Sequence, residues 1–161
     1  MAENRPTVRP MRPADAAAVI RMAGELATAV SDPKPLLSES DFIRDATGSQ
    51  RWFDCLVAEL EGHLVGFAIL CKGFEAHTGH RRIWLGDLYV QQAARHGGVA
   101  RALMASIARH ALELGCEAVY WELWRANVTG ADFYRKIGAE QADELAVMRL
   151  DRSRLAAMAE S

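Results

Sequence analysis

The chain of 161 residues carries 19 Lys and Arg against 21 Asp and Glu, a formal charge of −2, and half of its residues are hydrophobic. That length suits a single domain, residues 1–161, with a real core, and a near balance of charge without a long basic tract argues against nucleic acid as a partner. No apolar run reaches membrane-span length, and Met1-Ala2-Glu3-Asn4-Arg5-Pro6 lacks an apolar signal segment, so the expectation is a cytoplasmic protein with no membrane partner.

In chain order, Thr7-Val8-Arg9 reads as a short first strand. Asp15 can cap a helix running to about Val30, with Val19, Ile20, Met22 and Leu26 among its apolar positions. Ser31-Asp32-Pro33-Lys34-Pro35 breaks that helix, and Ser38 or Ser40 starts a second, short one. Cys55 to Leu60 and His63 to Cys71 are strands joined by the two-residue turn Glu61-Gly62. Arg82 to Val90 is the next strand, and Val99, Leu103, Ile107 and Leu114 then follow at helical spacing. Glu117 to Trp124 is a strand, Asn127 opens a helix that Gly138 ends, and a strand near Ala146 to Leu150 and a short helix close the chain. The order is mixed α/β (α+β), with no internal repeat. Cys55, Cys71 and Cys116 all lie in apolar stretches and read as buried free thiols of a reducing compartment. His77-x-x-His80 has no further His or Cys nearby in sequence and reads as a solvated loop, so no metal is expected.

The junction after Leu88-Tyr89-Val90 is the informative segment. Arg95-His96-Gly97-Gly98-Val99-Ala100-Arg101 starts a helix that no Ser, Thr, Asp or Asn caps, and no acid follows before Glu113. Free amides and the macrodipole already make a helix N-terminus positive, so cations there are unfavourable on their own. They suit a bound anion, with Gly97 and Gly98 letting the backbone approach it. The segment therefore reads as a phosphate site. It is not a P-loop, since Arg101-Ala102 stands where the Gly-Lys-Ser/Thr ending belongs, and the G-x-G-x-x-G order of a dinucleotide site is absent.

The spacing Arg95-x-x-Gly98-x-Ala100 resembles the pyrophosphate-binding motif Gln/Arg-x-x-Gly-x-Gly/Ala of the GNAT acetyltransferases. Asn127-Val128-Thr129-Gly130-Ala131-Asp132-Phe133-Tyr134, ending at Gly138, resembles the family's Asn-x-x-Ala-x-x-Phe-Tyr-x-x-x-Gly signature, with Gly130 where Ala is usual. Cys55-Leu56-Val57-Ala58-Glu59, Val65-Gly66-Phe67-Ala68 and Asp87-Leu88-Tyr89-Val90 look like the diamine acetyltransferase branch, and the likeness covers nearly the whole chain. It implies a GNAT fold, a central mixed, mostly antiparallel sheet with splayed central strands flanked by helices, acting as a homodimer. It also implies acetyl transfer from acetyl-CoA as co-substrate to a primary amine by direct attack in a ternary complex. The pantetheine arm would then lie along the backbone of Leu88, Tyr89 and Val90. The pyrophosphate would lie on Arg95, His96, Gly97, Gly98, Val99, Ala100 and Arg101, with Asn127 and Tyr134 completing the cofactor site.

The chemistry asks for named groups. An alkylammonium with pKa of about 10 cannot attack a thioester until it loses a proton, which costs about 4 kcal/mol at pH 7. Asp87 is the carboxylate that would receive the proton, with Glu122 a further candidate; the resemblance implies Tyr134 as the phenol that would protonate the departing thiolate, and an N–H near Val90 would polarise the thioester carbonyl. Asp87, Glu122 and Trp84 are expected to line the acceptor side. Where the diamine branch carries Glu-Asp, this chain has Gly86-Asp87, and Ala29-Val30 stands where the branch tends to have Tyr-Glu. A polycation needs several carboxylates nearby. The leading expectation is thus a small amine or amino-acid-like acceptor. The alternatives are a polyamine or diamine acceptor, a protein or peptide amine, and a non-catalytic acyl-CoA-binding module.

Overall fold

The structure, a computed structural model, describes residues 5–160, so Met1-Ala2-Glu3-Asn4 of the stretch read for a signal lie outside the described residues. Two compact units divide the chain, one running through Glu122 and the other starting at Leu123.

In the first unit, β1 (Thr7–Pro10) leads to α1 (Ala16–Ala29) and α2 (Glu39–Ala46). The expected cap of α1 is not made. Asp15 accepts instead from Arg9 Nη1 and from the Arg12 N–H, both at 2.7 Å. The Arg9 guanidinium holds the Asp15 pKa below the usual carboxylate range against the effect of burial. Val19 and Met22 of α1 are fully buried, each contributing about 1.5–3 kcal/mol of apolar burial. Ser38 does cap α2, its hydroxyl accepting from the Asp41 N–H at 3.1 Å.

β2 (Asp54–Leu60), β3 (His63–Glu75) and β4 (His80–Val90) run longer than expected, and α3 (Val99–Glu113) and β5 (Cys116–Tyr120) follow. The β2–β3 turn has φ +52° at Glu61 and +80° at Gly62, as a two-residue hairpin requires. The sheet order is β1-β2-β3-β4-β5, antiparallel throughout except for the parallel β4–β5 pair. One core lies between the sheet and α3, built on Leu70, Ile83, Leu85, Leu103 and Ile107. The other lies between the sheet and α1 and α2, built on Val19, Met22, Phe42, Val57 and Phe67. The mixed, mostly antiparallel sheet flanked by helices is therefore as expected.

Two strand expectations are corrected. β5 ends at Tyr120 instead of Trp124, because its last partner on β4 is Trp84. The second unit contains α4 (Val128–Lys136) and α5 (Arg152–Ala159), and Ala146 to Leu150 form no strand. Val147, Met148 and Leu150 are exposed, and among the described residues no strand pairing is formed by this segment. All three cysteines are free, but only Cys55 is buried, its thiol pushed up to about 12 by burial, while Cys71 and Cys116 are half-buried. Among the described residues no helix is long and apolar enough to cross a membrane, and no three His, Cys, Asp or Glu gather as a metal ion would require. His77 and His80 are exposed at the β3–β4 connection.

Candidate active site

A bulge in β4 decides which side chains face which helix. Ile69 of β3 lies opposite Asp87 and Leu70 opposite Leu85, which leaves Gly86 as an extra residue. Side chains alternate between faces along a strand, so one inserted residue reverses every side chain after it. Before the bulge, Ile83 and Leu85 pack on the α3 side; after it, Leu88 and Val90 do so. Tyr89 enters the core on the α1 side, and Asp87, opposite Ile69, shares that face. Trp84, opposite Cys71 and partly exposed, also lies on it.

The second feature is an open edge. β4 and β5 pair from Arg81 and Cys116 to Trp84 and Tyr120, and from Leu85 to Val90 β4 has no strand partner on that side among the described residues. The ladder thus stops where β5 ends. The Gln91 N–H donates to the Val65 carbonyl at 2.9 Å, which makes Gln91 and Val65 a hydrogen-bonded pair. Val90, opposite Gly66, therefore turns its N–H and C=O away from β3, towards the open edge, and by the same alternation so does Leu88. The Val90 carbonyl accepts from Arg95 Nε at 3.1 Å.

That edge leads into the head of α3. Gly98 precedes the helix in the left-handed region (φ +79°), and no side chain caps it. The second left-handed residue is His96 (φ +67°) and not Gly97, so the expected role of the glycine pair is shared between His96 and Gly98. Alternating left-handed backbone of this kind gathers N–H groups into a concavity that suits an anion. No acid lies in the first turn. Val99 is buried in the core, so only its backbone can serve a ligand. Ala100 packs partly against the same core, and Arg101 is exposed. Arg95 is not a free cation, since its guanidinium sits 5.9 Å from the Tyr89 ring centroid while Nε holds Val90.

Asp87 is open to solvent, yet enough protein surrounds its carboxyl for desolvation to raise its pKa above the usual range. Glu122 is exposed and lies beyond the end of β5. In the second unit, Asn127 caps α4, its Oδ1 accepting from the Gly130 N–H at 2.9 Å. A Cβ at Gly130 would lie 2.6 Å from Asn127 Nδ2, so the capping side chain would have to shift to admit one. Tyr134 of α4 is half-buried against Phe133 (ring centroids 5.2 Å apart), and burial raises its phenol pKa, so it stays protonated at neutral pH.

The sequence reading missed Glu25 and Gln91. Glu25 of α1 accepts from the Tyr89 hydroxyl at 3.1 Å and from Gln91 Nε2 at 3.2 Å, tying the end of β4 to the helix. Its signal is a charged residue three positions after buried Met22, on the edge of the apolar stripe of α1.

The model of the Acetyltransferase (GNAT) family matches residues 24–139, a span that enters both units. The chain is 29% identical over 147 residues to the thialysine N-epsilon-acetyltransferase of Sus scrofa, covering 85% of each chain. It is 26% identical over 140 residues to the spermidine/spermine N(1)-acetyltransferase-like protein 1 of Homo sapiens, covering 82% of this chain and 20% of that one. Its fold is like that of an integron cassette protein from the mobile metagenome of V. cholerae, with a TM-score of 0.80 at 22% identity over 97% of this chain and 98% of that chain.

Proposed function

This chain belongs to the GNAT acetyltransferase family, and from that premise we propose that it moves the acetyl group of acetyl-CoA to the primary amine of a small, amine- or amino-acid-like molecule. One observation carries the reading: among the described residues, one edge of β4 has no strand partner from Leu85 to Val90, and a short turn leads from it to an uncapped helix head with no acid in its first turn. An extended arm that bonds along a strand and ends in a pyrophosphate suits that path, with main-chain groups of Leu88 and Val90 for the arm and the amides from His96 to Arg101 for the phosphates.

The co-substrate supplies an activated acyl group, and the residues of the chain handle the protons. Asp87 takes a proton from the bound ammonium, and the desolvation that raises its pKa makes it a better base than a fully hydrated carboxylate. The neutral amine attacks the thioester carbon, and the Val90 N–H stabilises the oxyanion that forms. Collapse breaks the C–S bond, Tyr134, held protonated by burial, gives its proton to the sulfur, and the surplus proton that the attacking nitrogen sheds as it becomes the amide passes to water, from which Tyr134 is reprotonated. The acceptor reading draws on the relative named for the N-epsilon position of thialysine and on Gly86, whose lack of a side chain leaves Asp87 the one carboxylate on this stretch of β4. We place the enzyme in the cytoplasm as a homodimer.

The deciding experiment is release of the CoA thiol across a panel of monoamines, diamines, amino acids and peptides, with product mass by spectrometry. Turnover of a small amine supports the reading. Tight acetyl-CoA binding with no turnover of any amine replaces it with a non-catalytic binder.

A further inference from the structure

The half-buried carboxylate of Glu25 has no place in the acetyl-transfer steps above, and its bonds converge on one spot. Its oxygens accept from the Tyr89 hydroxyl at 3.1 Å and from Gln91 Nε2 at 3.2 and 3.3 Å. Those donors come from the residues on either side of Val90. Val90 itself is fixed by Arg95 Nε on its carbonyl, and Arg95 stacks beside the Tyr89 ring, while the Gln91 N–H is tied to Val65. Tyr89 stays a donor, since burial and the neighbouring Glu25 both raise its phenol pKa. Beyond Val90 the chain leaves the sheet through a short helical turn, Gln92 to Ala94, so nothing in the β4–β5 ladder holds this end of the strand.

We infer that Glu25 is a positioning residue: by clamping Tyr89 and Gln91 to α1 it fixes the orientation of the Val90 N–H at the open edge, and so the hydrogen bond that polarises the acyl carbonyl. The inference rests on the proposed role of Val90. A frayed strand end rotates its peptide planes, and an N–H that has to be reoriented during the reaction loses the advantage of preorganisation. Glu25 acts through the β4 backbone and does not touch the reacting atoms.

The test uses the full chain and acetyl-CoA labelled with 13C at the acyl carbonyl. Infrared spectroscopy reads the carbonyl stretch on binding, alongside kcat and KM with the best amine of the panel. In the wild type the stretch falls below its value in free acetyl-CoA. In Glu25→Ala the fall is largely lost and kcat drops about tenfold, with acetyl-CoA affinity changed less than threefold. Glu25→Gln, which keeps an acceptor and the side-chain length, restores most of both, and Tyr89→Phe, which removes one of the two clamped donors and keeps the ring, lies between. Thermal melts confirm that the variants are folded. A full carbonyl shift and unchanged kcat in both Glu25→Ala and Tyr89→Phe overturn the positioning role and leave the Val90 reading intact. A wild type that binds acetyl-CoA without any carbonyl shift overturns both.

Discussion

Gly86→Glu tests the acceptor side most directly. Gly86 is the bulged residue of β4, and the three atoms nearest to a Cβ built there all belong to Ile69, at 3.7 Å for Cγ2, 3.8 Å for the carbonyl oxygen and 3.9 Å for Cβ, all ordinary contacts. The side chain would thus start beside Ile69, which packs on the α1 side of the sheet, the face Asp87 occupies. One carboxylate–ammonium contact in a partly desolvated cleft is worth about 1.5–3 kcal/mol, or at least about tenfold in kcat/KM. Spermidine and other diamines should gain that factor in Gly86→Glu, while a monoamine, with its single charge already served by Asp87, should change less than about threefold. The assay is steady-state kcat/KM for spermidine, a short diamine, a monoamine and an amino acid with a side-chain amine, in both proteins. In the wild type spermidine should be the poorest of these. The reasoning is refuted if wild-type spermidine turnover exceeds that of every monoamine and amino acid, or if a folded Gly86→Glu protein leaves the diamine ratio unmoved.

Three further outcomes follow from the site. Gly98→Glu should abolish acetyl-CoA binding by calorimetry; because Gly98 has φ +79°, Gly98→Ala carries the backbone strain without charge or bulk and should keep measurable affinity. Equal loss in both would assign the effect to strain and remove the evidence for a phosphate there. Tyr134→Phe should lower kcat at least tenfold with little change in acetyl-CoA affinity, and collapsed affinity with a normal rate would make Tyr134 a packing residue. Asp87→Asn should lower kcat for every amine by at least about a hundredfold, yet stabilise the fold at neutral pH. The sign follows from linkage: with its folded pKa raised above the unfolded value, Asp87 favours the folded state below the unfolded pKa and loses that contribution as pH rises through the folded one. Melting temperatures of wild type and variant should therefore converge as the pH falls to the carboxylate range, and a variant less stable at pH 7 would contradict a desolvated Asp87.

Much of the fold was legible because local rules agreed with it. Ser38 and Asn127 are caps, Glu61-Gly62 is a tight turn, and the spacing Val99, Leu103, Ile107 is the buried face of α3. The head of α3 was legible through what it lacks, a cap and an acid. The errors have two origins, a nearby competitor at Asp15 and distant partners at the end of β5 and at Glu25. Asp15 has good capping chemistry, but Arg9 and the Arg12 amide take its carboxylate, and Trp121 to Trp124 keep a strand-like composition beyond the point where β4 pairs. Glu25 was invisible for the same reason, since its donors are at positions 89 and 91.

The bulge was written in the sequence as an irregular interval. The apolar residues of β4 that face α3 are Ile83, Leu85, Leu88 and Val90, and the step from 85 to 88 breaks a period of two. Gly86 is thus the residue the sheet sets aside so that both apolar runs of β4 keep their faces. Deleting it would place Asp87 directly after Leu85 and still opposite Ile69, a regular strand in which Asp87 and Tyr89 keep the α1 side and Leu88 and Val90 the α3 side. No core residue changes face and no carboxylate is buried, so the deletion should cost less than about 2 kcal/mol in urea unfolding. Gly86→Ala, whose Cβ makes ordinary contacts with Ile69, should stay within about 1 kcal/mol of the wild type. A deletion that costs more than about 3 kcal/mol would mean that side chains after position 85 do change face, and the pairing of Ile69 with Asp87 would then depend on the extra residue.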